Sequence, residues 1–309
     1  CYILAMELKQ LRVFLHVADT GSLSTAAKRL NITQPALSRH IRLLEEEAGT
    51  ALFIRTGRGV QLTAAGQFLL PRVRLLSDEV ERLKMDMRAF AGTVSGEVRL
   101  GLPLSVGIFL AAPLVDVFRQ NYPHVKLRVT QLLSGALEDH LLNGRLDLGI
   151  LFEGQTSSFL HTEALWSEEL FFITRPDEKW LGQAEISFSD CLNEPLILPG
   201  TQHGLRALLE KKARQIGSEL NVIIEADSLS IQTELVCRGL GSTVLSYEAC
   251  RAQIKDKRLI ALPLKNPSLQ RTSVLVWSHD FPLTLAAQAM ADTIKQTASS
   301  IFDQLPPKT

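Results

Sequence analysis

Four residues within one short segment are of types suited to reading nucleic acid. In NITQPALSRH, these are Gln34, Pro35, Ser38 and Arg39, set among small residues. A glutamine amide can form two hydrogen bonds with adenine and an arginine guanidinium two with guanine, while serine can bond to bases or phosphates. A helix that only packed against its neighbours would not need so many short polar groups at its head. The residue types therefore favour insertion into the major groove of DNA.

The elements around this segment are predicted to be helices joined by a tight turn. Apolar residues at steps of three and four predict a helix from Leu8 that Gly21 ends. Ser22 is expected to cap a second helix and Thr33 a third, in which Pro35 falls in the first turn, where a missing amide hydrogen costs nothing. A helix, a tight turn and a helix with a polar head are the layout of a helix-turn-helix.

A basic hairpin is predicted directly after the third helix. The segment ALFIRTGRGVQLT has two short apolar runs around RTGRG, which is typical of a β-hairpin wing. Arg55 and Thr56 are expected to hold phosphates, and Arg58 is expected to enter a narrow minor groove. Between Met6 and Thr63 there are 8 Lys or Arg against 5 Asp or Glu, whereas the whole chain has 33 of each. The positive charge is therefore local to this unit.

The wing arginine supports a first testable prediction. The Arg58→Ala variant should bind DNA more weakly, because one cation fewer displaces counter-ions from the phosphate backbone. The slope of log K against log salt concentration should fall by about one. Binding constants measured over a series of salt concentrations check this, and an unchanged slope would remove Arg58 from the groove and phosphate contacts.

A long amphipathic helix is predicted after Thr63. Its apolar residues alternate at spacings of four and three, which makes one continuous heptad seam: Leu69, Val73, Leu76, Val80, Leu83, Met87 and Phe90. One helix cannot bury such a stripe alone, so a second copy of the chain is expected to cover it. The alternative is an amphipathic helix that packs on its own domain. Pro71 predicts a kink or an altered hydrogen bond near the helix start, and AGTVSGE, residues 91 to 97, predicts a hinge.

From Val98 onward, short apolar segments alternate with helical ones, which predicts parallel strands with crossover helices. Ligands in such sheets bind beyond the carboxyl ends of strands, often at helix N-termini whose free amides attract anions. The positions that meet this description are Ser105, Ser134, Gly135, Thr201, Gln202 and His203. Ordinary helix capping is the alternative at each of them. Glu153 follows the segment LDLGILF, where it would favour a cationic or hydrogen-bond-donating ligand unless it is a solvated loop residue.

Several other functional classes lack their signatures. The 7 histidines show no metal-binding spacing, and neither a nucleophile elbow nor a Gly-rich phosphate loop occurs, so we expect no enzyme, metal or cofactor. The 4 cysteines show no paired spacing, which favours structural thiols in a reducing cytoplasm. No apolar run approaches the ~20 residues of a membrane span, and no export signal is apparent. Residues 1 to 5, CYILA, precede Met6 and look like an upstream extension.

At this point a family resemblance is plain. The segment FLHVADTGSLSTAAKRLNITQPALSRHIRLLEEEAGTALFIRTGRGVQLTAAG resembles the winged helix-turn-helix of LysR-type transcriptional regulators almost without a gap. The resemblance continues through LLPRVRLL and, more weakly, to Phe302. It implies a multidomain fold: an all-α winged helix-turn-helix, a long linker helix, and an α/β effector domain of two lobes similar to type II periplasmic binding proteins. The family also tolerates a proline at Pro71.

The resemblance implies domain limits and site positions. The DNA-binding domain would span 6–63, the linker and dimerisation helix 64–92, and the effector-binding domain 97–309, with lobe I at about 97–166 and 270–309 and lobe II at about 167–269. Family positions for DNA contact fall on Gln34, Pro35, Ser38, Arg39 and Arg58. Ser105 and Ser134 match positions used for ligand carboxylates, and the other lobe's contribution matches Thr201, Gln202 and His203.

The function expected from this resemblance is that of a cytoplasmic regulator. It would bind double-stranded operator DNA as a homodimer or homotetramer, respond to a small effector held between the lobes, and have RNA polymerase as a further partner. An effector that favours one closure state would change the angle or the spacing between DNA-binding pairs through the hinge. The segments SGAL and GRLDLGILFE resemble regulators of nitrogen assimilation, for which action without an effector is a further expectation. The alternative is a cytoplasmic solute-binding protein whose N-terminal helices serve assembly only.

Overall fold

A computed structural model of the chain describes residues 6–57, 59–89, 93–154 and 156–302. The fold divides into two compact units between residues 88 and 89. Each unit has its own hydrophobic core. None of the helices in the described residues is both long enough and apolar enough to span a membrane.

The first unit contains the predicted helix-turn-helix and wing. Its elements are α1 (Leu8–Thr20), α2 (Leu23–Leu30), α3 (Gln34–Ala48), β1 (Phe53–Thr56), β2 (Gly59–Leu62) and α4 (Ala64–Ala89). The strands β1 and β2 pair antiparallel, so the wing is a β-hairpin appended to helices. The helix α4 runs through Pro71 without interruption.

Local hydrogen bonds account for the boundaries of these helices. Gly21 ends α1 in a left-handed conformation with φ of 61°, which a residue without a Cβ adopts at little cost. The Ser22 hydroxyl accepts a hydrogen bond from the Thr25 amide, and Thr33 accepts one from Ala36, so both predicted N-caps are confirmed. The carbonyl of Gly21 accepts a hydrogen bond of 2.9 Å from the Val60 amide, which fixes the wing against the turn between α1 and α2.

The core of the first unit is built from one face of each helix. Phe14, Val17, Leu37 and Leu44 are fully buried in it. The long helix α4 joins the same core through Val73, which is only 1% exposed. The first half of α4 therefore packs on its own domain.

The second unit is an α/β structure with two lobes. The elements of the first half of its chain are β3 (Gly96–Pro103), α5 (Leu104–Asn121), β4 (Val125–Leu132), α6 (Ser134–Leu142), β5 (Leu148–Phe152) and β6 (Leu160–Thr174). There follow β7 (Ile186–Ser187), α7 (Phe188–Asn193), β8 (Leu196–Leu198), α8 (Gly204–Gln215), β9 (Val222–Glu225), α9 (Leu229–Cys237), β10 (Thr243–Ser246), a 3₁₀ turn (Glu248–Cys250), α10 (Arg251–Lys255), β11 (Ile260–Lys265), β12 (Leu269–Ser278) and α11 (Leu285–Phe302).

The strand pairing corrects the prediction of a parallel sheet. The main sheet has the order β4-β3-β5-β12-β6-β11-β7, with β10 also paired to β6. Pairing is parallel between β3 and β4 and between β3 and β5, but β12 runs antiparallel to both β5 and β6. Strands β10 and β11 are also antiparallel to β6. The sheet is mixed because β6 leaves the first lobe and β12 returns to it in the opposite direction.

Two cores define the two lobes. The core of lobe I contains Val98, Trp166, Leu275 and Met290. The core of lobe II consists of residues that lie in the sequence from Leu170 to Leu269. The strands β6 and β12 take part in both cores, because each continues from one lobe into the other. They are therefore the only described strands that contribute buried side chains to both of these cores.

Candidate nucleic-acid interface and sensor cleft

The helix α3 divides into a buried face and a polar exposed face at its N-terminal end. Leu37, Ile41 and Leu44 point into the core of the first unit. Gln34, Pro35 and Arg39 are exposed, and Ser38 is half-buried beside them. This division follows from the helical period, which places residues three and four apart on one side. The polar groups are therefore available to a partner outside the protein.

A groove between α3 and the wing brings several predicted DNA-binding residues together. Its volume is about 500 Å³, and it is lined by Leu23, Pro35, Ser38, Arg39, Ile41, Arg42, Glu45, Phe53, Arg55 and Val60. Three positions predicted on α3 and one predicted on the wing thus share one surface. Gln34 and Thr56 do not line this groove.

Arg42 belongs to the same groove and was missed by the sequence analysis. Its side chain is 73% exposed and forms an ion pair of 3.2 Å with Glu46, a solvated contact of small energetic value. Arg42 lies three residues after Arg39 and four after Ser38, so it falls on the same face of α3. That spacing was the signal that would have identified it.

Glu45 connects α3 to the wing. Its Oε1 atom accepts hydrogen bonds from the backbone amides of Leu52 (2.8 Å) and Phe53 (3.1 Å). A carboxylate that accepts two amide hydrogen bonds holds the first wing strand at a fixed position beside the helix. The acidic end of α3 therefore has a structural role in orienting the wing.

The wing tip is described only in part. Arg55 is exposed on β1, as a phosphate contact requires. The Thr56 hydroxyl donates a hydrogen bond of 3.2 Å to the carbonyl of Gly59, so a phosphate contact would require this bond to be exchanged. Arg58 lies outside the described residues.

The apolar seam of α4 is split between two environments. Leu69 is partly buried against the core of its own unit, and Val73 is fully inside it, so Val73 is corrected from a dimerisation residue to a core residue. The later positions behave differently: Leu76, Leu83 and Met87 are 51%, 62% and 65% exposed, and Val80 is half-buried. Phe90 lies outside the described residues. Among the described seam residues, the exposed ones thus lie toward the C-terminal end of α4.

In the second unit, Ser105 and His203 line one small cavity between the lobes. The cavity has a volume of about 20 Å³ and is also lined by Leu104, Pro199, Leu205, Asp227, Leu229, Gln232, Leu245 and Arg271. Such a volume holds about one water molecule. The two lobes are therefore in close contact around this cavity.

His203 is a neutral hydrogen-bonding group in this cavity. Its Nδ1 atom accepts a hydrogen bond from the Leu205 amide at the start of α8, which places the imidazole hydrogen on Nε2. Burial and the nearby positive charge of Arg271 lower the pKa of His203 from 6.5 to about 4, while Asp227 opposes this shift. The imidazole is therefore uncharged at neutral pH.

Arg271 and Glu168 form a buried ion pair on the two crossing strands. Their side chains are each 5% exposed, and the Nε atom of Arg271 donates a hydrogen bond to Oε1 of Glu168. The Nη2 atom of Arg271 donates a second hydrogen bond of 3.1 Å to the Ser105 hydroxyl. This pair was not predicted, because no local pattern in the sequence places Glu168 and Arg271 at inward positions.

Glu153 lies in a second, larger cavity. This cavity has a volume of about 310 Å³ and is lined by Phe152, Glu153, Gly154, Leu205, Leu208, Gln270, Arg271 and Thr272. Glu153 is exposed, and its amide donates a hydrogen bond of 2.9 Å to the carbonyl of Thr272. Arg271 and Leu205 line both cavities.

Four predicted effector positions line neither cavity. Ser134 is buried and Gly135 follows it in the first turn of α6, while Thr201 and Gln202 are exposed in the turn before α8. The structure thus brings together Ser105 and His203, places Glu153 nearby, and leaves the other four outside this closed cleft.

The described cysteines have little thiolate character. Burial raises the pKa of Cys191 and of Cys250 to about 12, and it also raises the pKa of the half-buried Cys237. Since the thiolate is the reactive form, we expect alkylation by iodoacetamide to be slow at all three positions in the folded protein. Peptide mass spectrometry should show full labelling only after denaturation. Rapid labelling of Cys191 or Cys250 in the native protein would contradict the buried environment.

No group of three side chains suited to holding a metal ion occurs in the part of the chain that the structure describes.

Two family models match the chain. Residues 8–67 match the model described as "Bacterial regulatory helix-turn-helix protein, lysR family", and residues 91–299 match the "LysR substrate binding domain". The first match covers α3 and the wing, and the second covers both cavities.

Individual proteins show the same likeness along nearly the whole chain. A probable nitrogen assimilation transcriptional activator of Synechococcus elongatus is 31% identical over 88% of this chain and 88% of its own length. The regulator BbuR of Bordetella bronchiseptica is 29% identical over 95% of this chain and 90% of its own. A full-length OxyR variant from Pseudomonas aeruginosa has a similar fold, with a TM-score of 0.69 and 24% identity over 94% of this chain and 98% of its own.

Proposed function

Because the chain belongs to the LysR family of bacterial transcriptional regulators, we propose that it reads operator DNA with the groove between α3 and the wing. The observation that carries this proposal is the shared groove lined by Ser38, Arg39 and Arg55. A helix that presents amide, hydroxyl and guanidinium groups next to a basic hairpin can contact base edges and phosphates together.

We assign the individual contacts by side-chain chemistry. Gln34 and Arg39 would bond to base edges in the major groove, with Pro35 and Ser38 beside them. Arg55 and Arg42 would contact the phosphates that flank the groove, and Arg58 would reach the minor groove from the wing tip. Phosphate contacts set the position of the protein on DNA, whereas base contacts set its sequence preference.

The domain limits follow from the same reading. We assign 6–63 to DNA binding, 64–92 to dimerisation and 97–309 to effector sensing, with lobe crossings near Trp166 and Gln270. A second copy of the chain would cover the exposed half of the α4 seam. Two DNA-binding units would then read two half-sites of an interrupted inverted repeat.

The seam supports a testable prediction about assembly. The Met87→Asp variant should dissociate into monomers at concentrations where the wild type is a dimer, because a carboxylate would be buried against apolar side chains of the second copy. Analytical ultracentrifugation over a dilution series would show the change. The matched control is Met85→Asp on the same helix, which lies off the seam and should leave assembly unaltered. Equal effects of the two variants would contradict the assignment.

The sensor would bind a small effector between the two lobes. Ser105 and His203 face the closed cavity from opposite lobes, so a ligand there would contact both. Because the small cavity holds about one water, the lobes must separate there before a ligand can contact both residues. An effector then changes the output only by the difference between its affinities for the open and closed states.

We place the protein in the cytoplasm, where a bacterial regulator meets both DNA and RNA polymerase, which we name as a further partner. We assign it no catalytic activity, since the proteins it resembles are named as regulators. The name of the Synechococcus relative makes nitrogen assimilation genes the first candidates for its targets.

Selection of genomic fragments by the purified protein tests the proposed function. Sheared DNA from the source genome is incubated with the full chain at physiological salt, and the retained fragments are sequenced. Enrichment of a few promoter-proximal sites that share an interrupted inverted repeat is expected. Uniform retention that disappears as salt rises would indicate only electrostatic binding and would contradict specific recognition.

A further inference from the structure

The strand register places Glu168 and Arg271 face to face. They are direct partners in the antiparallel pair of β6 and β12, where the side chains of opposed residues lie on the same side of the sheet. That side is the interior: Glu168 and Arg271 are both buried, while the neighbouring pair of Ser167 and Thr272 is bonded on the exposed side. The ion pair therefore lies at the point where the two strands cross between the lobes.

The surroundings of Arg271 form a complete anion subsite. Its guanidinium lies over the ring of Phe152, 4.0 Å from the ring centroid, and it bonds to the Ser105 hydroxyl in the first turn of α5. The N-terminus of α5 has no side-chain cap, so its free amides add positive potential. Guanidinium, hydroxyl and helix N-terminus are together the usual partners of a carboxylate.

Glu168 already occupies this subsite. One carboxylate oxygen accepts the hydrogen bond from Arg271, and the other, Oε2, is buried without a hydrogen-bonding partner. A buried arginine needs one anion, and a second carboxylate next to Glu168 would bring two like charges together in a poorly solvated place. An external anion can therefore bind Arg271 only if Glu168 leaves.

The other charges at the cleft also disfavour anions. Asp227 lines the small cavity and Glu153 lines the larger one, while His203 is neutral. Arg271 and Glu168 neutralise each other and His203 is uncharged. The remaining charges are therefore the two negative ones, on Asp227 and Glu153. Their combined field repels anionic ligands and attracts cationic ones.

We propose that Glu168 is a resident carboxylate ligand of Arg271, which excludes anionic effectors from the cleft and makes the sensor selective for neutral or cationic ones. This inference rests on the proposed sensor function but not on DNA recognition. It makes Glu168 a residue that determines specificity, because removing its carboxylate converts an occupied subsite into an open one for small carboxylates.

Chemical rescue with acetate tests this proposal. The Glu168→Ala variant loses a methylene and a carboxylate beside Arg271. These groups have the size and charge of one acetate ion, so acetate can replace them. In sodium chloride we expect its thermal midpoint to lie well below that of the wild type. Replacing chloride by acetate should raise the midpoint of the variant by about 3–6 °C for each tenfold increase above the dissociation constant. The wild type should show no such increase, since its subsite is filled.

Two controls separate rescue from general solvent effects. Acetamide has the shape of acetate without its charge and should not raise the midpoint of Glu168→Ala. Acetate should also have no specific effect on the Glu168→Ala, Arg271→Met double variant, which lacks the cation. If acetate stabilises the wild type as much as Glu168→Ala, or stabilises neither, the proposal is overturned.

A second measurement keeps the test decisive if Glu168→Ala does not accumulate in folded form. Its soluble yield after refolding is compared in acetate, chloride and acetamide, and a selective gain in acetate is expected. Equal yields in all three would contradict the proposal. None of these measurements involves DNA, so their failure is distinguishable from a failure of fragment selection, which tests operator recognition alone.

Discussion

Replacement of Arg39 by alanine is expected to weaken binding to a selected operator by about 1–3 kcal/mol, or roughly 5- to 150-fold in Kd. The reason is that a guanidinium at this exposed position of α3 can make two hydrogen bonds with a guanine edge, and alanine can make none. Gln34→Ala should have a similar effect through the loss of an adenine contact. Both losses should be large on the operator and small on unrelated DNA, since non-specific binding depends on phosphates.

Fluorescence anisotropy with operator and scrambled duplexes at physiological salt measures this difference. Arg214→Ala provides a matched control, because Arg214 is exposed on α8 in the sensor unit. That control should leave both affinities unchanged. Equal weakening on operator and scrambled DNA would reassign Arg39 to phosphate contact, and no weakening would favour the solute-binding alternative, in which the N-terminal helices serve assembly only.

The largest effect on stability is expected for Arg271→Met. This variant leaves the Glu168 carboxylate buried without its cation, and breaking a buried ion pair from one side costs about 3–5 kcal/mol. Urea unfolding followed by tryptophan fluorescence measures the loss, because Trp166 is buried on the same strand as Glu168. Replacing both partners, as in Glu168→Leu with Arg271→Met, should recover most of the stability, since no unpaired charge remains.

An exposed pair serves as the comparison for this prediction. Arg238 and Glu234 form an ion pair of 3.0 Å with side chains 69% and 46% exposed. Arg238→Met should lower the free energy of unfolding far less than Arg271→Met does, because solvent screens the exposed pair. A loss of similar size for Arg271→Met would mean that water reaches the crossing point of the strands, and the charge argument for the cleft would fail.

The first unit was predictable because its determinants are local. Ser22, Thr33 and Thr63 cap the helices that follow them, and Gly21 ends the helix before it, so each boundary is set within a few residues. The burial of Val73 in the core of its own unit was not predictable in the same way. It depends on the packing of α4 against helices far earlier in the chain, and a heptad pattern does not distinguish an internal contact from one with a second copy.

The second unit was predictable in its elements but not in its pairing. The apolar end of β6 follows a strand pattern, but exposed polar residues such as His161 and Glu163 mask the pattern in its first half. In β11, Pro263 interrupts the apolar run, so this strand has only a weak local signal. Strand direction is set by contacts over about a hundred residues, so alternation alone suggested parallel pairing where β12 is antiparallel to β6.

The sensor cleft shows the same limit. Ser105 and His203 were identifiable because each begins a helix after a strand, which is a local pattern. Glu168 and Arg271 are 103 residues apart and meet only through the register of β6 and β12. Charged residues inside a strand pattern usually indicate an exposed position, and only the fold shows that these two neutralise each other.

The return of the chain through β12 also affects the order in which the protein can be completed during synthesis. Lobe II is translated between the two portions of lobe I. Nearly all of the core around Phe172 and Leu209 can assemble while the core of lobe I still lacks Leu275 and the seven residues that α11 contributes to it. A nascent chain thus carries β5 with one unpaired edge until β12 emerges. Chaperones that protect exposed sheet edges would act in that interval.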